Sequence, residues 1–279
     1  MSSISDFTLK NKILMLALDH RGSFNKLINP SSPESVTLPQ VIDIKKEIIA
    51  SLYDQFSGIL IDSIGGLPAF EKVAVSKAIK KPYLLCIEKT GYEDEQGSRK
   101  TQLEYSVENL KNQGASGIKL LLYYHPSAPT KDHQLNIARQ VLLDCRRFNL
   151  PLFLELVTYS IENYNSHKPE LVLDSVYQFL EAGIIPDVFK LEYPGDPVAC
   201  FQISKLLKKT PWILLTKGDS FANFREQLKI AIRNGAVGFL AGRSLWQEFN
   251  QYAENKRLDF FQTVVVQRFA EIAGIVLEA

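Results

Sequence analysis

The segment Gln113-Gly114-Ala115-Ser116-Gly117-Ile118-Lys119-Leu120-Leu121-Leu122-Tyr123 contains the repeating unit of the whole chain. A glycine supplies the left-handed residue that ends a helix. An apolar run of strand length follows within three residues. The same punctuation recurs at Ala182-Gly183 and at Asn234-Gly235, each ahead of another short apolar run. Reading outward from these joints predicts strands at residues 13–19, 58–62, 83–87, 117–123, 152–157, 187–192, 212–217 and 237–241. Helical periodicity fills the intervals at 39–55, 103–110, 134–147, 171–181, 198–207 and 221–234. Strict alternation of strands and helices means a parallel sheet covered by helices. Eight units favour a closed (β/α)8 TIM barrel over an open doubly wound sheet. The first turn, Asp19-His20-Arg21-Gly22, also lacks the GxGxxG or P-loop pattern that an open nucleotide-binding sheet would carry.

The 279 residues could make two domains, but α/β barrels of this length are common and no linker divides the chain. One barrel domain over 1–279 is expected, with extra helical segments at 245–254 and 259–277 after strand eight. The chain has 32 basic and 31 acidic side chains, a net charge of +1. That balance argues against nucleic-acid binding, which needs a clustered basic excess, and it leaves room for a homo-oligomer. Cys86, Cys145 and Cys200 are widely spaced and odd in number, as expected of reduced thiols in a cytoplasmic protein. No uninterrupted apolar run approaches the roughly 20 residues of a membrane span, so no membrane partner is expected.

Chemistry in a parallel barrel gathers at the carboxyl ends of the strands. Side chains alternate along each strand, so in Asp187-Val188-Phe189-Lys190-Leu191-Glu192 the residues Val188, Lys190 and Glu192 face inward. Lys119 interrupts strand four in the same way, Glu155 shares a face with Phe153 and Val157 in strand five, and Asp19 ends strand one. A single charged residue in a strand would be read as a rim ion pair. Two lysines and a carboxylate on three consecutive strands are different, because burying such groups together costs several kcal/mol per ion unless they pair well. A desolvated amine beside another cation becomes a nucleophile near neutral pH and attacks a ketone to form a Schiff base. Neither a metal nor a cofactor is needed for that chemistry. The four histidines show no ligand spacing, and no GxSxG marks a serine nucleophile.

Strand seven ends in Thr216-Lys217-Gly218-Asp219 and strand eight in Gly242-Arg243-Ser244. The loops after these two strands hold a phosphate in many barrels. Gly218 and Gly242 allow close backbone approach, a helix N-terminus would follow, and Arg243 offers a two-pronged grip, with Lys217 as an addition. Arg21, Lys89 and Arg99 are the next candidates for such a role.

Five blocks resemble the class I tagatose-1,6-bisphosphate aldolase family, which also contains sulfofructose-phosphate aldolases. They are Ala17-Leu18-Asp19-His20-Arg21-Gly22, Glu88-Lys89-Thr90-Gly91-Tyr92, Gly117 through Tyr124, Phe189-Lys190-Leu191-Glu192-Tyr193-Pro194 and Gly238-Phe239-Leu240-Ala241-Gly242-Arg243. The residues alone leave the two lysines unranked. The resemblance implies that Lys190 is the Schiff-base lysine and Glu155 the acid/base group. It also implies that Lys119 and Asp19 are polar partners, and that Gly242 and Arg243 hold the phosphate at the ketone end. Two positions depart from the family pattern: His20 stands where Gln is common, and Lys217 and Asp219 flank a turn that is usually small. The expected function is cleavage of a ketose phosphate to dihydroxyacetone phosphate and an aldehyde. A sugar-phosphate isomerase or epimerase and a non-catalytic sugar-phosphate sensor are the alternatives.

Overall fold

Eight apolar runs form strands β1 (Lys12–Leu18), β2 (Gly58–Ile61), β3 (Tyr83–Cys86), β4 (Gly117–Tyr124), β5 (Leu152–Thr158), β6 (Val188–Leu191), β7 (Trp212–Leu215) and β8 (Gly238–Ala241). The computed structural model describes residues 2–95, 97–161 and 167–279. Each strand pairs in parallel with the next, and β8 returns to β1 with Gly238 opposite Ile13 and Ala241 opposite Leu16. The sheet is therefore closed, as the alternation of units predicts. Closure needs glycine at one point: a Cβ on Gly238 would lie 1.9 Å from the Ile13 carbonyl oxygen.

Around the barrel run α1 (Gly22–Ile28), α2 (Leu38–Leu52), α3 (Gly66–Ala74), α4 (Val107–Asn112), α5 (Lys131–Phe148) and α6 (Lys168–Glu181). They continue with α7 (Pro197–Leu207), α8 (Phe221–Arg233), α9 (Arg243–Trp246), α10 (Glu254–Phe260) and α11 (Val266–Leu277). Alternation along the strands creates two cores. Leu14, Leu16, Ile59, Leu120, Leu154, Phe189 and Phe239 face the helices. Ile13, Met15, Leu60, Leu84, Cys86, Phe153, Val188, Ile213 and Leu240 fill the barrel. Phe7 closes its floor, packed edge-on against Phe153 at 5.2 Å between ring centroids. The bottom of the barrel is thus dry and apolar, and ionisable side chains are confined to its mouth.

Several boundaries differ from the sequence reading. Helices α1 and α3 are additional, both short and without a long periodic stripe. The helix expected from residue 103 starts at Val107, because Leu103 is held in a bridge to Glu88. A hairpin of Glu93–Glu95 and Ser98–Lys100, made of polar residues with no apolar face, was not expected. Strand β7 ends at Leu215, two residues early, since Lys217 adopts a left-handed φ of 48°. The last helical stretch begins at Glu254 and passes through a π-turn at Phe261–Val265. By length and composition Glu254–Leu277 could cross a membrane, contrary to the search for uninterrupted apolar runs. Its Phe260, Phe261, Val265, Phe269, Ile272 and Val276 are buried, with Phe269 against Phe239 of β8. That stripe identifies it as a core helix.

A buried ion pair links this frame to the barrel mouth. Lys45 of α2 is fully buried, pairs with Asp62 and donates to the His20 carbonyl at 2.9 Å. Asp62 in turn accepts from the amides of Ile64, Gly65 and Gly66 at 3.0, 2.7 and 3.1 Å, starting α3. Removing one partner of a buried pair typically costs about 3–5 kcal/mol, because the other charge is left alone. Lys45→Met should therefore lower the free energy of unfolding by that amount in chemical denaturation. A variant within about 1 kcal/mol of the parent would show that the pair carries little of the fold.

Candidate active site

Inward positions at the ends of β1, β3, β4, β5 and β6 converge on Lys119. Its Nζ donates to Glu88 Oε1 at 2.5 Å and to Asp19 Oδ2 at 3.0 Å, and lies 3.2 Å from Glu155 Oε2. The same Glu155 oxygen accepts from Lys190 Nζ at 2.8 Å. Register explains the meeting, since Glu155 is directly opposite Lys190 across the β5–β6 pair. Lys119, Lys190, Glu88 and Glu155 are all buried, at 2%, 5%, 4% and 8% exposure, so the charges balance one another rather than meet water. Asp19, Lys119, Glu155 and Lys190 are brought together as the alternation implies.

Glu88 was missed as a member of this cluster. It follows β3 in the same alternation as Leu84 and Cys86, so carrying the inward face two residues past the apolar run would have found it. Its second oxygen accepts from the Leu121 amide at 3.2 Å, and Arg21 donates to its carbonyl at 2.8 Å. Asp19, Cys86 and Glu88 place metal-capable atoms within 4.8 Å of one another. The Lys119 ammonium already lies between the two carboxylates, however, and burial pushes the Cys86 thiol above its usual range. The arrangement already holds an ammonium and is poorly suited to a metal ion.

Protonation states follow from the geometry. Burial alone would discharge Lys119, but Asp19, Glu155 and Glu88 outweigh it and hold its pKa well above the usual lysine value. Burial would likewise raise Glu155, yet Lys119 and Lys190 bring it below the usual carboxylate range. Asp19 is lowered on the same balance, with Lys119 the main opposing influence to burial. Lys119 is therefore a fixed cation, and Glu155 a carboxylate able to receive a proton. Of the two lysines, only Lys190 has a single carboxylate contact.

A second cluster lies across the mouth, after β7 and β8. The Arg243 guanidinium fills space left by Gly218, where a Cβ would come within 2.9 Å of it. A Cβ on Gly242 would come within 3.1 Å of Ala17 and of the His20 ring. Ser244 donates to the Asp219 carbonyl at 2.5 Å and joins the two loops. Arg243 Nε, His20 Nδ1 and Trp246 Nε1 are buried without a hydrogen-bond partner among the described residues. Buried polar atoms are rarely left unpaired in a finished structure, and of these three residues His20 and Arg243 line the cavity, where they mark a place for an acceptor-rich group. Burial first, and then Arg243, bring the pKa of His20 down to about 4 against the pull of Asp19, which leaves the ring neutral. A neutral imidazole offers one donor and one acceptor, fewer than the two donors and the carbonyl oxygen of a glutamine amide.

Two expectations for this corner are corrected. The helix after Gly242, α9, is a single turn and adds little dipole. Lys217, expected as an addition to the phosphate grip, is already engaged: its Nζ donates to Glu192 Oε2 at 2.6 Å, while Asp219 accepts from Gln227 at 2.8 Å. Glu192, fully buried just past β6, also accepts from the Thr158 amide and hydroxyl at 2.7 Å each. Both clusters open into one cavity of about 810 Å³, lined by Asp19, Lys119, Glu155, Lys190, Lys217 and Arg243 among others.

Known proteins show the same arrangement of chain. Residues 13–248 match the DeoC/LacD family aldolase. Tagatose 1,6-diphosphate aldolase 1 of Streptococcus mutans is 30% identical, over 88% of this chain and 83% of that protein. Its counterpart in Streptococcus pyogenes is 31% identical, over 84% and 80%. Among solved structures, an archaeal fructose 1,6-bisphosphate aldolase covers 97% of each chain at a TM-score of 0.64 and 21% identity, and shares the fold. A Schiff-base-forming fructose-1,6-bisphosphate aldolase gives 0.63 and 22%, over 94% of this chain and 96% of that one. Because the match runs from β1 past α9, and so spans both clusters, the chain belongs to the DeoC/LacD family of aldolases, lyases that break a carbon–carbon bond.

Proposed function

We propose that this aldolase is a class I enzyme of the cytoplasm that cleaves a ketose phosphate, such as tagatose 1,6-bisphosphate, to dihydroxyacetone phosphate and an aldehyde. The reading is carried by one oxygen, Glu155 Oε2, held 2.8 Å from Lys190 Nζ and 3.2 Å from Lys119 Nζ. A proton passing from Lys190 to that oxygen frees the amine lone pair, while Lys119 stays charged and keeps the site electrostatically balanced. The amine adds to the substrate ketone, and the carbinolamine hydroxyl takes the proton back from Glu155 and leaves as water. The resulting iminium accepts the electron pair of the adjacent carbon–carbon bond. Glu155, again a carboxylate, removes the proton of the hydroxyl on the departing carbon, and the aldehyde forms as the bond breaks. Protonation of the enamine carbon and hydrolysis of the imine return Lys190. Asp19 and Lys119 position the substrate hydroxyls. The ketone-end phosphate occupies the cradle of Gly218, Gly242 and Arg243, with Lys217, already committed to Glu192, contributing less.

Borohydride added with dihydroxyacetone phosphate should fix one adduct on the chain, mapped to Lys190 by peptide mass spectrometry, and excess chelator should leave turnover unchanged. A label on Lys119, or one retained in Lys190→Met, contradicts the assignment, and the absence of any adduct favours an isomerase or a sensor. General acid–base groups contribute about 10²–10⁴-fold. Steady-state assays of Glu155→Gln should show a loss of that order with trapping still detectable, whereas undiminished turnover removes Glu155 from the chemistry. A charge-assisted hydrogen bond is worth about 1.5–3 kcal/mol. Arg243→Ala should therefore weaken ketose-phosphate binding by roughly 10–150-fold in calorimetric titration and spare unphosphorylated ketoses. Equal weakening of both ligands would place the phosphate elsewhere.

A further inference from the structure

His20 stands at the seam between the two clusters. Its ring packs edge-on against Trp246 at 5.2 Å between centroids, and its Cε1 lies 3.1 Å from where a Gly242 Cβ would stand. The imidazole therefore forms one wall of the Gly242 turn, and it lines the cavity together with Arg243. Nδ1 is a buried nitrogen, with Asp19 Oδ1 3.8 Å away, too far for a hydrogen bond. Nε2 is then the nitrogen available to a group seated in the turn. The charged groups facing the ring are Asp19 from the end of β1, Arg243 from α9, Lys45 from α2 and Lys190 from β6. Burial and the three cations outweigh Asp19, so the ring is neutral before a ligand arrives. A neutral imidazole has a single N–H, and the Asp19 carboxylate draws it to Nδ1. Nε2 thus presents a lone pair toward the turn. A phosphate dianion has only acceptors, so lone pairs face one another unless a proton enters. A glutamine here would meet the dianion with N–H groups of its own, so the conflict arises from the histidine.

We infer that His20 is a further binding residue of this enzyme, and that a proton from solvent enters with the ligand phosphate and is held between Nε2 and a phosphate oxygen. The inference rests on the reading of Gly218, Gly242 and Arg243 as the phosphate cradle, and adds to it a residue and a proton. Neutral ring, dianion and proton combine into an imidazolium–dianion pair. Both ring nitrogens then donate, Nε2 toward the phosphate and Nδ1 toward Asp19, so the charged ring lies between two anions. Magnitudes favour the uptake. An opposite charge at about 4–6 Å moves a pKa by about 1–3. A dianion brings two such charges and offsets Arg243, enough to carry the ring from about 4 into the neutral range. The ring is neutral without ligand and charged with it. Binding therefore strengthens as the pH falls and weakens as the pH rises through the value of the bound ring.

Glycerol 1-phosphate tests this without turnover, because it has no ketone and forms no imine. The second pKa of a phosphate monoester is about 6, so at a pH of about 7.5 the unbound ligand is already a dianion. Calorimetric titration there, in two buffers of different ionisation enthalpy, counts the protons exchanged on binding. The parent protein should take up a large fraction of one proton, and its Kd should rise by up to about tenfold per pH unit between about pH 7 and 8.5. His20→Gln should bind without uptake and with a Kd that is flat over the same range. No uptake by the parent, or equal uptake by parent and variant, overturns the inference. Arg243→Ala examines the cradle separately. If that variant binds glycerol 1-phosphate as the parent does, the phosphate lies elsewhere and both readings fall. If it binds more weakly than a parent that takes up no proton, the cradle stands and only the role of His20 falls.

Discussion

The Lys119 ammonium, buried among Asp19, Glu88 and Glu155, is the contact on which the rest of the mouth depends. Each carboxylate comes from the end of a different strand, so one side chain ties β1, β3 and β5 to β4 above the level where the apolar filling stops. Three like charges could not be brought into this space without it. Asp19 and Glu155 have lowered pKa values, so their contribution to stability is present above the ordinary carboxylate range of about 3.9–4.3 and is lost as the pH falls through their folded values. Lys119 is raised, so its contribution is present below about 10.4 and is lost as the pH climbs through its folded value. Between these limits Asp19 and Glu155 stay carboxylates and Lys119 stays an ammonium, so the pairing at the mouth is constant.

The layering of the barrel sets the direction of the chemistry. From Phe7 at the floor through Met15, Phe153 and Ile213 the interior offers no polar partner, and water has no reason to enter from below. Charges therefore pair sideways with one another, and access is only from the top. The buried Lys45–Asp62 pair acts on the same turn from outside, since its bond to the His20 carbonyl fixes the backbone between Asp19 and Arg21. The clusters at Lys119 and Arg243 thus share a common support, and they meet where Asp19 Oδ1 lies 3.8 Å from His20 Nδ1.

The parts of this design legible in sequence were those that depend on local period. Alternation in β5 and β6 placed Glu155 and Lys190 on the inner face, and glycines after helices marked where strands begin. The misses depend on distant contacts. Glu88 lies beyond the end of its apolar run, where periodicity stops and only the position of Lys119 makes the inward face meaningful. The hairpin bearing Arg99 reads as a charged loop, and its order comes from Gln134, Thr130 and Tyr159 far along the chain. Lys217 was assigned by its neighbours in sequence, but Glu192 on another strand decides where it points.

Gly218 and Arg243 occupy one volume between them, because the space a side chain would need at the first is taken by the guanidinium of the second. Gly218 also holds a left-handed φ of 81°, so a side chain there is strained whatever stands at position 243, whereas the guanidinium ends a flexible chain and can move aside. Glycine at 218 is therefore kept by its own backbone first and by its neighbour second. Sequence change in this corner should reach position 243 before it reaches position 218.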